Sequence, residues 1–314
     1  MSVATKLLGF GGLVAVVFAA ALGVGRVVGP VATTPASHAD MVGGHEGMAM
    51  GGEGAGASFP KGLLVSQNGY TFRLAHDSAP AGTGVPVAFT IEGPEGAPVT
   101  EYDVEHDKEL HLIAVRRDLT GFQHVHPVRD ADGTWTTGLD LTPGQWRLFA
   151  DFKATGAEAL TLGTDLSVAG TYEPAPGATV DVRTATVDGY TVTLSGNLTA
   201  GRDAKLTLRV ARDGKPVTDL QPYLGAYGHL VALRDGDLAY LHVHPEGTPG
   251  DGATEPGPDV TFFADVPSGG RYHLYLDFKH GDVVRTAAFT VTAEGAGAPE
   301  KMPAGESGDA HGNH

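Results

Sequence analysis

Two short phrases, "FQHVHPV" at 122–128 and "YLHVHPE" at 240–246, carry four of the chain's 14 histidines. Alternate side chains of an extended strand share a face, so His124 and His126 project together, as do His242 and His244. Two imidazoles about 7 Å apart along a strand can converge on one cation. A third histidine precedes each pair, His111 ahead of the first phrase and His229 ahead of the second. Only "RRDLTG" or "RDGDLA" separates the apolar ends of the two segments, which predicts a hairpin that carries this histidine across to the others. The phrases "FADFK" and "YLDFK" add Asp151 and Asp277, on the face opposite the apolar Leu148, Phe152, Leu274 and Phe278. The expectation is one site per copy: His111, His124, His126 and Asp151 in the first, and His229, His242, His244 and Asp277 in the second. Three imidazoles and a carboxylate suit Cu²⁺, Zn²⁺ or Ni²⁺. The chain has no Cys, which excludes thiolate ligands, disulfides and Cys nucleophiles.

The competing explanation is structural. Histidines that only bond main-chain carbonyls would survive duplication of a domain as faithfully as ligands do. A separate cluster bears on the choice of metal: His38, Met41, His45, Met48 and Met50 lie within 13 residues (38 to 50). Thioether with imidazole suits Cu(I), and imidazole also holds Cu(II), so copper is the first choice and Zn²⁺ the second. Met302, His311 and His314 form a thinner echo at the other end. His106 and His273, the latter at the place of Arg147, are candidates to enlarge the two sites, whereas His76 and His280 read as surface residues.

The elements that must position these groups come in two copies. "YTFRLAHD" from Tyr70 matches "YTVTLSGN" from Tyr190, and "QWRLFADFK" matches "RYHLYLDFK". The offset is 120 residues at the first pair (70 to 190), 118 at the histidines (124 to 242) and 126 beyond the insert "EGTPGDGATEPGPD" (151 to 277). Near-constant offsets over such a length mean a duplicated domain, not a short solenoid repeat. Segments such as "VPVAFTI", "KLTLRV", "HLIAV" and "YHLYLDF" are short, β-branched or aromatic, and bounded by Gly, Pro or Asp. "GPEGAP" and "RDGKP" read as hairpin turns. The fold class expected is all-β, two tandem immunoglobulin-like β-sandwiches at 59–171 and 180–293, joined by a linker at 172–179.

The ends differ. Leu7–Gly25 is uncharged and long enough to cross a bilayer, so residues 1–29 are expected to form one N-terminal transmembrane helix with the bulk of the chain extracytoplasmic. Secretion after cleavage of that segment is the alternative. Residues 30–58 read as a flexible Met/His/Gly-rich linker and 294–314 as a disordered tail. A formal charge of −16 offers no basic surface for nucleic acid, leaving metal ions and the membrane as expected partners.

Asp118, Leu119, Phe122, His124, His126 and Pro127 spell a "DL..F.H.HP" phrase, and Asp237, Leu238, Tyr240, His242, His244 and Pro245 repeat it with one residue fewer between the leucine and the aromatic residue. In this the chain resembles a group of bacterial exported proteins described as heavy-metal-binding or copper-associated, which join an N-terminal hydrophobic segment, a Met/His-rich stretch and β-sandwiches. The resemblance implies metal binding outside the cytoplasm and no catalytic activity. The second copy departs from it with Tyr240 for Phe122 and with the insert. Three functions follow, in order of preference. The first is copper binding or delivery, the second a metal-free immunoglobulin-like interaction module. The third is a cupin-like metalloenzyme, which would need a further His and carboxylate, and no Ser/His/Asp or paired-carboxylate arrangement is visible.

Overall fold

A computed structural model describes residues 60–295 other than His242. The expected N-terminal helix and Met/His-rich linker lie outside the described residues, as does the expected C-terminal tail beyond residue 295, its first residue Glu294 ending a strand. Among the described residues there is no helix, and none therefore that could cross a membrane.

The first copy contains β1 (Tyr70–Leu74), β2 (Gly82–Glu92), β3 (Leu110–Arg116), β4 (Gln123–Val125), β5 (Thr134–Leu141), β6 (Gly144–Phe152) and β7 (Leu160–Val168). One sheet runs β1-β2-β5 and the other β7-β6-β3-β4, with Ser78–Ala79 pairing in parallel to β7. The second copy contains β8 (Tyr190–Ser195), β9 (Arg202–Arg212), β10 (His229–Arg234), β11 (Val243–Pro245), β12 (Asp259–Val266), β13 (Gly270–His280) and β14 (Val283–Glu294). Its sheets run β8-β9-β12-β11 and β14-β13-β10, with Leu198–Thr199 in parallel to β14. This is the strand order of an immunoglobulin-like sandwich, so the all-β reading holds. The hairpin expected at "RDGKP" forms, Ala211 pairing with Pro216 across Asp213 and Gly214, which both have positive φ.

Each sandwich has its own core. Phe72, Phe89, Trp135, Leu148 and Phe152 fill the first, and Tyr190, Phe262, Tyr272, Leu274 and Phe278 the second. A third cluster lies between them. Ile113, Val115, Leu119 and Phe149 meet Val231, Leu233, Leu238, Tyr240 and Tyr275. The central strands β3, β6, β10 and β13 are thus buried on both faces over much of their length, which explains why "HLIAV" is a continuous apolar run. Alternation sorts the faces: Leu110, Leu112 and Ala114 enter the first core, while Ile113 and Val115 enter the joint. Equivalent residues meet crosswise. Phe122 stacks on Tyr275 at 3.9 Å between ring centroids, and its counterpart Tyr240 packs on Phe149 at 5.8 Å. Burying each aliphatic side chain there is worth roughly 1.5–3 kcal/mol.

Half of the "DL..F.H.HP" phrase serves this joint. Asp118 accepts hydrogen bonds from Arg116 Nε at 2.9 Å and from Thr120 Oγ1 at 2.7 Å, and Asp237 pairs with Arg234 in the same way. Leu119 and Leu238 then take left-handed φ of 64° and 61°, which turns their side chains into the joint. The aspartate secures the turn, and the leucine and aromatic residue dock the sandwiches.

Candidate metal centre

The hairpin β3–β4 sets the geometry. Ile113 pairs with His124 and Leu112 with Val125, so continuing the register brings His126 opposite His111. Directly opposed residues share a face, and Ile113 points into the joint, so all three histidines point there too. Their ligand-capable nitrogens lie within 4.8 Å of one another. Ring centroids are 5.3 Å apart for His111 and His124, and 5.0 Å apart for each of the two pairs with His126.

The hydrogen bonds determine which nitrogens are available. His111 Nε2 donates to the Glu105 carbonyl at 3.1 Å, which leaves Nδ1 as a lone pair. That lone pair faces His124 Nε2 at 3.1 Å. His124 Nδ1 in turn donates to Asp277 Oδ2 at 2.8 Å, with the two side chains 1% and 4% exposed. His126 Nε2 is buried with no hydrogen-bond partner among the described residues. Three nitrogens therefore converge with two of their ring partners already committed as donors. Two electron pairs cannot face each other at 3.1 Å without a positive charge between them. A proton shared by His124 and His111 would serve, and so would a metal ion. Two nitrogens bound to one ion at about 2.0–2.1 Å sit at most about 4.2 Å apart, close to the observed spread.

Burial favours the neutral, ligand-ready form of His111 and His126. Burial, with the neighbouring His124, pushes His111 down to about 3. Burial likewise takes His126 down to about 4, and it holds His229 well below the usual imidazole range. A cleft of ≈ 400 Å³ lined by Lys61, His106, His111, Asp151, His229 and Tyr240 reaches the cluster from outside.

The arrangement differs from one site per sandwich. His111, His124 and His126 come together, but Asp151 does not join them. Its carboxylate accepts Thr161 Oγ1 at 2.9 Å, and burial raises its pKa. The carboxylate at His124 is Asp277, from the other copy. Both aspartates do lie opposite the core, as alternation requires, but the face they occupy is the joint. The sheets meet there crosswise, so a carboxylate serves the other copy's histidine.

The second set is also redistributed. His229 stacks on His111 with ring centroids 5.5 Å apart and lies 4.8 Å from the ring of His124. His244 is exposed and pairs with Phe263 on β12, so the second copy's chain has joined the other sheet at this position, whereas His126 lies just past the end of β4 beside His111. His242 lies outside the described residues, as do His38, Met41, His45, Met48, Met50, Met302, His311 and His314. His106 is near both copies, 5.8 Å from the ring of His229 and 6.2 Å from that of His111. His273 pairs with Leu233, four residues along β10 from His229, and does not reach the cluster. Its counterpart Arg147 binds the Gly62 and Leu63 carbonyls and Asp165. His280 bonds the Tyr190 hydroxyl and Asp219. Sequence reasoning missed the partnership of His124 with Asp277 and the position of Tyr223, whose ring lies 6.4 Å from that of His126. The two-sided burial of "HLIAV" and "GHLVAL" was the available signal, since it implies a second packed layer over the histidine face.

Fold and site together define a tandem immunoglobulin-like protein with a histidine cluster at its joint. The chain belongs to the family described as domain of unknown function DUF8832, matched at residues 65–169 and 185–295, one match per sandwich. No curated protein matches significantly. Among solved structures, the chain is similar to a DUF4426 family protein from Pseudomonas aeruginosa, with 8% identity, TM-score 0.26, and coverage of 36% of this chain and 97% of that one. It is also similar to the Escherichia coli adhesin FdeC (14% identity, TM-score 0.23, coverage 72% and 65%) and to the D0-D1 domain of intimin (13%, 0.21, 71% and 97%). The chain thus spans slightly less than two thirds of the adhesin. Scores this low carry no functional argument, and the strand order itself defines the fold.

Proposed function

We propose that this is an extracytoplasmic metal-binding protein, with copper as the preferred ion and zinc second, whose described site is His111, His124 and His126. One observation carries the reading: three buried or half-buried imidazole nitrogens converge, and among the described residues none supplies a hydrogen to His126 Nε2. Nitrogen donors without sulfur suit Cu²⁺ or Zn²⁺. The preference for copper, and a role in its delivery, rest on the Met/His-rich segment and on the resemblance to copper-associated exported proteins. The uncharged segment Leu7–Gly25 supports a membrane anchor. The reading assigns no reaction to the protein.

A second reading has its own support. The buried pair His124–Asp277 bridges the sandwiches, and a protonated His124 bonded to both His111 and Asp277 would make the cluster interdomain glue. Titration of tag-free full-length chain with Cu²⁺ separates the two. The metal reading expects a paramagnetic signal from an ion with three nitrogen ligands. It also expects that signal, and one equivalent of bound ion, to vanish in His124→Ala/His126→Ala. Unchanged stoichiometry in that variant overturns it.

A further inference from the structure

We propose that Asp277 is the positioning residue of the three-histidine site, so that the second sandwich completes a centre whose ligands all come from the first. This deepens the metal-binding reading and rests on it. An imidazole can present either nitrogen, and a strand histidine held only by its χ angles can turn Nε2 away. Asp277 removes that freedom. Its Oδ2 accepts Nδ1–H of His124 at 2.8 Å, which fixes the tautomer and aims Nε2 at His111 Nδ1. Its Oδ1 is itself held by Thr286 Oγ1 at 2.6 Å. The carboxylate rides on β13, where it pairs with His229 of β10, so its position follows the docking of the second sandwich and not a loop. With both side chains almost fully buried, water does not substitute for the contact. A carboxylate behind a ligand imidazole also raises its basicity. The first copy repeats the threonine contact alone, since Thr161 holds Asp151 as Thr286 holds Asp277.

The test compares full-length wild type, Asp277→Asn and Thr286→Val. Cu²⁺ affinity is measured by chelator competition, read at the three-nitrogen paramagnetic signal. Electron-spin-echo modulation reports the remote nitrogen of each bound imidazole. The Asn variant keeps the shape but loses the charge. It is expected to bind about 10–100-fold more weakly and to change the remote-nitrogen coupling, an effect that a merely structural role would not produce. Thr286→Val, which leaves His124 untouched, is expected to weaken binding in the same direction by less. Wild-type binding with Asp277→Asn within twofold and with identical modulation overturns the positioning role and leaves the metal reading intact. Absence of wild-type binding overturns both. Should Asp277→Asn fail to fold, unchanged affinity in Thr286→Val overturns the proposal, and weakened affinity sustains it.

Discussion

Replacing His126 by Phe separates a ligand from a scaffold residue, because the two roles predict opposite signs for stability. Among the described residues His126 Nε2 is buried without a partner, and burial holds the ring neutral. An orphaned buried polar atom costs about 1–3 kcal/mol. Phe keeps a flat ring and removes the orphan. In chelator, His126→Phe should therefore be at least as stable as wild type, by about 1 kcal/mol, taking the low end because the residue is only half-buried. For a folded unit of this size that is a rise in Tm of about 2–4 °C. Added metal reverses the order. An ion at 100 times its Kd stabilises the native state by about 2.7 kcal/mol, or about 5–10 °C, and the variant lacks one of three ligands. Scanning calorimetry of both proteins, with chelator and with excess Cu²⁺ or Zn²⁺, gives the four midpoints. The reasoning fails if the variant melts below wild type in chelator, because His126 would then be making a stabilising contact. It fails equally if metal raises both midpoints by the same amount.

Metal-free protein should lose stability as pH falls from about 6.5 towards 4, because unfolded imidazoles take up protons there while His111 and His126, held at about 3 and 4, do not. The sign follows from the unfolded state binding more protons, and each group adds a slope of about 1.4 kcal/mol per pH unit, measurable by denaturant titration in chelator. Gly121→Ala should destabilise the protein and weaken metal binding together: φ is +67°, and a Cβ would lie 2.7 Å from Trp146 Cη2, just ahead of the strand that carries His124. Unchanged melting and affinity would count against this. Tyr275→Phe removes a buried 2.8 Å hydrogen bond to the Leu119 carbonyl across the joint and should cost about 1–3 kcal/mol, read from the denaturant midpoint.

Periodicity and repetition determined much of this protein from sequence alone. Alternation in "FADFK" and "YLDFK" put Asp151 and Asp277 opposite their cores, and the short spacing before "HVHP" specified the hairpin that joins His111 to His124 and His126. These are local matters of backbone pleat and chain reach, which a single copy's residues decide. The tertiary structure decided what the opposite face meets. Ile113, Val115 and Phe149 lie on the face away from their own core, so hydrophobic burial brings in the other copy, and the crosswise meeting carries Asp277 to a histidine of the first copy. Asp277 therefore serves His124, and His229 stacks on His111, although the duplicated sequence lists each with its own repeat. Nothing local distinguishes a histidine's own aspartate from its neighbour's. That choice depends on how two surfaces pack, and it is settled only when both are folded.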